Sequence, residues 1–126
     1  MFIAKLNEVL ASKRSFIADP LNTVSIGITA ALNIIHWLIL YIKIKPGDAN
    51  ILLHYNVIYG RDLIGKSSYI YLIPATALLF LIVNILIAGK FYKSEKLAAY
   101  FLNFASIAVQ LIFLAATLVL IIANTV

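Results

Sequence analysis

The chain is 126 residues long, with 63% hydrophobic and 12% charged residues and a mean hydropathy of +1.02. A soluble domain of this size has about half its residues apolar and about a quarter charged, and too little interior to hide more. Disordered chains err the other way, towards charge and polarity. A membrane protein remains. The ten Lys and Arg against five Asp and Glu give a net charge of +5. These basic residues are scattered along the chain, which suits anionic lipid rather than nucleic acid.

Residues 1–19 lack the continuous apolar core and small-residue cleavage site of a signal peptide. Phe2, Ile3, Leu6, Val9, Leu10, Phe16 and Ile17 recur at helical spacing, with Lys5, Glu8, Lys13 and Arg14 at other positions. The pattern predicts an amphipathic helix lying in the membrane interface; a helix packed on a partner protein is the alternative. Asp19-Pro20 ends it and starts the next, with Asp19 as N-cap and Pro20 at the first helical position.

Three uncharged runs follow, at 20–42, 67–89 and 97–126. At about 1.5 Å per residue, roughly 20 residues cross the hydrocarbon core. The expected fold is an all-α integral membrane protein with spans at 20–43, 69–89 and 97–123, a 25-residue structured loop at 44–68 and a short loop at 90–96. Lys5, Lys13, Arg14, Lys90, Lys93 and Lys96 share one side of the bilayer, against Lys43, Lys45, Arg61 and Lys66 on the other. That bias puts the N-terminus in the cytoplasm and the C-terminus outside.

The first span carries Asn22, Ser25, Thr29, Asn33 and His36 within a stripe about 60° wide. The third carries Asn103, Ser106, Gln110, Thr117 and Asn124 on a similar stripe; the second has only Thr76 and Asn84. Lipid cannot satisfy these groups, so the first and third spans are expected to meet along a polar seam of interhelical hydrogen bonds. The rival reading is a polar pathway or small-ligand site with His36 as proton carrier. The neighbouring Trp37 and Tyr41 place His36 near the aromatic belt instead. Gly27 and Ala31, with Ala98, Ala99, Ala105 and Ala108, offer small residues for close helix approach. Pro74 marks the first turns of its helix or a kink.

The loop holds the one motif. Pro46-Gly47-Asp48 is a turn signal, and Ile51 to Tyr59 is rich in β-branched and aromatic residues and reads as extended. Gly60 and Gly65 mark further turns around Arg61 and Asp62. His54 and Asn56, two apart, project to one side of an extended chain, and Tyr55, Val57 and Tyr59 to the other. Five of the seven tyrosines flank or lie in this loop, which puts it at a membrane interface. One His and two carboxylates, Asp48 and Asp62, fall short of a metal site, and no Ser-His-acid spacing is recognisable. No cysteine is present, so disulfides, Fe–S clusters and thiol catalysis are out. An enzyme, a metal and a cofactor are not expected.

His54-Tyr55-Asn56 followed by Gly60, Asp62 and Gly65, between two membrane helices, resembles a bacterial membrane domain of unknown function. That domain occurs in the immunity protein that protects sporulating bacilli from their own killing factor. The resemblance covers about residues 44–90 and rests on about six positions; this chain has a longer gap from Pro46 to His54 and its own amphipathic start. The segment is also similar to one in small three-helix hypothetical proteins of uncultured bacterial lineages. The resemblance implies a bacterial inner-membrane protein that senses or blocks a peptide. By their own chemistry, His54 and Asn56 are expected to bond backbone groups and hold the loop together, with Arg61 or Lys66 on lipid phosphate; a partner- or ligand-binding loop of His54, Tyr55, Asn56, Gly60, Arg61 and Asp62 is the alternative. From the residues themselves, the expectation is a non-enzymatic accessory subunit or homo-oligomer acting through helix and loop contacts. A small transporter or proton-linked channel using His36, Asn33 and Gln110 is a further alternative.

Overall fold

The computed structural model describes the backbone of residues 1–44, 51–56, 60–65 and 67–125, and within these the side chains of all but 12, 13, 52–56, 60–65, 67 and 125. The element order is α1 (Phe2–Ala18), α2 (Pro20–Lys43), β1 (Ile51–Asn56), β2 (Gly60–Gly65), a 3-10 turn (Ser67–Tyr71), α3 (Leu72–Phe91) and α4 (Lys96–Thr125). Among the described residues, three segments are long and apolar enough to cross a membrane: Pro20–Lys43, Ser68–Phe91 and Lys96–Asn124.

The α1–α2 corner follows from Asp19-Pro20. Asp19 adopts an extended backbone that breaks the helix, and its Oδ1 accepts from Leu21 N at 3.1 Å. Pro20 needs no donor at the first helical position. Pro74 falls in the first turn of α3, where its missing N–H costs little, and the 3-10 turn leads into it. At the opposite turn, Glu95 N and Ser94 N both donate to Phe91 O, and α4 starts at once.

α2 and α4 run parallel, with α3 antiparallel against both. Two apolar clusters close the ends of the bundle. Leu40, Ile44, Ile70, Leu120 and Ile121 pack at the hairpin end, and Phe16, Ala88, Tyr92 and Ala99 at the other. Between them the interior is polar, while large apolar side chains such as Leu79, Leu86, Ile112 and Ile122 cover the outside. A polar inside and an apolar outside is the arrangement lipid favours, since every embedded polar group must find a protein partner. The chain is a multi-pass membrane protein.

The loop between the first two spans contains a β-hairpin, an addition to the expected helices. β1 is antiparallel to β2, with His54 opposite Leu63, Tyr55 opposite Arg61 and Asn56 opposite Gly60. The register shifts on both sides of His54, leaving Leu53 and then Asp62 without an opposite residue. Gly60 and Gly65 are the two ends of a strand instead of separate turns, because Leu63-Ile64 supplies a partner for the apolar run beginning at Ile51. Ile51 packs on the Leu40–Ile70–Leu120 cluster, which seats the hairpin on the ends of α2 and α4. The expected turn at Pro46-Gly47-Asp48 lies outside the described residues.

α1 buries one large apolar side chain, Phe16, beneath the bundle; its ring meets Tyr92 edge-on with centroids 5.5 Å apart. Phe2, Ile3, Leu6, Val9, Leu10 and Ile17 stay exposed, an apolar surface suited to the bilayer boundary.

The polar seam as candidate functional site

The stripes on α2 and α4 face one another. Asn22, Ser25, Thr29, Asn33, His36, Asn103, Ser106, Gln110 and Thr117 are all buried. Because the helices are parallel, contacts repeat at nearly constant sequence separation: 81 for Asn22–Asn103 and His36–Thr117, and 77 for Asn33–Gln110.

The seam is built in layers. Nearest α1, Asn103 Nδ2 donates to Asn22 Oδ1 at 2.7 Å, while Asn22 Nδ2 donates to Phe16 O at 3.0 Å and so ties α1 to the pair. Ser25 and Thr29 spend their hydroxyls on carbonyls of their own helix, at Leu21 and Ser25 respectively. One layer deeper, Asn84 Nδ2 on α3 donates to Ser106 Oγ at 2.8 Å, and Ser106 Oγ donates to Leu102 O at 3.0 Å.

The central layer joins all three spans. Asn33 Nδ2 donates to Gln110 Oε1 and to Pro74 O, both at 3.1 Å. Gln110 Nε2 donates to Ala77 O at 2.9 Å. Trp37 Nε1 donates to Asn33 Oδ1 at 3.0 Å, and the Trp37 ring stacks on Tyr71 at 6.0 Å. Two amides thus engage one another, an indole and two carbonyls of α3. The last layer is His36, whose Nε2 shares a 2.7 Å hydrogen bond with Thr117 Oγ1. Tyr71 then donates to Ile44 O at 2.5 Å and closes the hairpin end of α2.

His36 is fully buried and faces the interior of the bundle. The stripe that carries Asn33 and Asn22 inward carries His36 with it. Among the described residues the His36 Nδ1 has no partner, and neither has Asn103 Oδ1. Gly27 and Ala31 depart from expectation: both are exposed, and a Cβ at Gly27 would meet nothing within 4 Å. They sit on the side of α2 away from the seam. Ala99 is fully buried as expected, and Ala77 and Ala88 of α3 are fully buried too.

A second cluster, which sequence reasoning missed, locks the α1 end. Tyr92 donates to Asp19 Oδ2 at 2.6 Å, Tyr100 donates to the same oxygen, and Lys96 Nζ stands 3.9 Å from it. The Tyr100 hydroxyl foremost, then that of Tyr92, holds the Asp19 carboxyl below its ordinary range; the same carboxylate pushes the Tyr92 phenol up. The available signal was the isolated Asp19 between α1 and the first span, an acid that needs partners.

Among the described residues no group of three or more His, Asp or Glu could hold a metal ion. His54, Tyr55, Asn56, Gly60, Arg61 and Asp62 share the hairpin, but their side chains lie outside the described residues. No protein-family model, curated protein or solved structure matches this chain.

Proposed function

We propose that this is a non-enzymatic membrane protein that works through contacts, as an accessory subunit or by self-association in a bacterial inner membrane. One observation carries the reading: the amide groups of the spans are engaged within the bundle. What the bundle offers outward is an apolar perimeter, an amphipathic helix and a hairpin. Such a molecule has surfaces for other membrane proteins and little machinery for chemistry. The excess of Lys and Arg around α1 and the α3–α4 turn argues for a cytoplasmic N-terminus and an external hairpin. Reporter fusions at the two ends should then report opposite faces.

Crosslinking in native membrane followed by native mass spectrometry in mild detergent tests the proposal. Discrete homo-oligomers or a stoichiometric partner are expected. A strictly monomeric protein with nothing bound would overturn it.

A second reading rests on the hairpin. Its seating on the bundle through Ile51 suits a loop held in place for recognition, as in a sensor or immunity-type protein facing a peptide. Changing His54, Asn56 or Arg61 to Ala would then abolish the response at unchanged membrane levels, and an unchanged response would end that reading.

A further inference from the structure

A cavity of about 640 Å³ lies between α1, α2 and α3, within the ~300–1,000 Å³ typical of ligand pockets. Its apolar walls include Phe16, Ile17, Ile26, Ile85 and Leu86, with Gly89 in the floor. It shares Val9 and Lys90 with a neighbouring cavity of about 400 Å³ that also touches Glu8, Lys93 and Ser94. An oily slot therefore leads to a polar mouth at the end of α3.

The charges at that mouth are unequal. Lys93 Nζ stands 3.7 Å from Glu8 Oε1, and Lys96 Nζ 3.9 Å from Asp19 Oδ2. Lys90 Nζ lies over the Phe91 ring at 5.8 Å, and no carboxylate of the described residues is within ion-pair range of it. The lining thus pairs a chain-sized apolar space with one uncompensated cation at the membrane surface. A long lysine there reaches the headgroup level while its stem stays on the apolar wall.

We propose that this slot holds one acyl chain of an anionic phospholipid, with the phosphate on Lys90. The lipid fills the wedge between α1 and the α2–α3 pair and so fixes the angle of α1. Gly89 lines the slot: a Cβ there would make ordinary contact with the Phe16 ring at 3.9 Å, whereas a much longer side chain would occupy the space of the acyl chain. A lipid suits both parts of the site at once: its acyl chain matches the apolar walls, and its phosphate supplies the anion that Lys90 lacks among the described residues.

The test is native mass spectrometry of the full chain in mild detergent, supplied with equal amounts of phosphatidylglycerol and phosphatidylethanolamine bearing the same acyl chains. One phosphatidylglycerol per chain should be retained in preference. Lys90→Glu should lower that retention by at least about fivefold, Gly89→Leu should abolish retention of both lipids, and Lys43→Glu at the far surface should change neither. Lys90 is exposed, so its replacement leaves packing intact, and the fluorescence of Trp37 checks the fold of each variant. Equal retention of the two lipids, or retention indifferent to Lys90→Glu and Gly89→Leu, would overturn the proposal. So would a dimer that forms without lipid and is lost in Gly89→Leu, which would make a second copy the occupant.

Discussion

Replacing Asn33 by Leu tests whether the central layer holds the three spans together. The side chain keeps its branching at Cγ and grows in volume, and it loses two bonds to other helices, to Gln110 Oε1 and Pro74 O, and one from Trp37 within α2. Interhelical bonds in membranes average about 0.6 kcal/mol each, with a ceiling near 1.7. The two across helices therefore give about 1 kcal/mol, and the orphaned Gln110 Oε1 brings the expected cost to about 1–2 kcal/mol. Gln110→Leu loses the bonds to Asn33 and Ala77 O and should cost about 1 kcal/mol. The double variant has no buried amide left to orphan, so it should be milder than the sum of the singles, by about 0.6 kcal/mol of coupling. Reversible unfolding in mixed micelles of sodium dodecyl sulfate measures all three. In the Gln110 variant, Trp37, the one tryptophan, reports the transition, because its indole is tied to Asn33 and stacked on Tyr71. Helical circular dichroism serves where Asn33 itself is changed. An Asn33→Leu protein as stable as the parent, with coupling indistinguishable from zero, would refute the idea that the seam holds the bundle.

The His36–Thr117 layer gives a different ordering. Thr117→Val leaves both imidazole nitrogens unpartnered and should cost roughly 1–3 kcal/mol, whereas adding His36→Leu removes the orphan and should restore most of it; mixed-micelle unfolding decides. In proteoliposomes, ion flux lost in His36→Ala would revive a transport role, and no such flux is expected. The Asp19 cluster predicts a stability plateau bounded on both sides. Asp19 is held below its ordinary 3.8, so its stabilisation is full above that pH and is lost as pH falls through the depressed folded value. Tyr92 is raised above 10.0, so its share is full below that pH and is lost as pH rises through the folded value. Asp19→Asn should flatten both limbs in thermal unfolding followed by circular dichroism, and an unchanged profile would show that the cluster does not couple α1 to the bundle.

What could be read from the sequence was decided by which groups lipid refuses. Asn22, Ser25, Thr29 and His36 on α2 are matched, 81 positions later, by Asn103, Ser106, Gln110 and Thr117 on α4. Three spans make the first and third parallel by necessity, so two helices with one polar spacing can meet in register along their length. The meeting of α2 and α4 was therefore legible twice over. The place of α3 was not. Its partners in the central layer are backbone carbonyls at Pro74 and Ala77, which every residue has and no side-chain pattern announces. Small residues misled for the same reason: Gly27 and Ala31 look like a packing face, but lipid accepts glycine and alanine as readily as a neighbouring helix does. Tyr92 and Tyr100 fit the interfacial belt whether or not they bond to anything, so their convergence on Asp19 left no trace in spacing. The hairpin was half visible, since β1 had the composition of a strand, whereas its partner Gly60–Gly65 is bounded by glycines that read as punctuation. In this chain, side chains that lipid cannot satisfy had to point at one another, and their spacing told where. Groups that lipid tolerates were free to sit inside or out, and only the packed bundle decides between them.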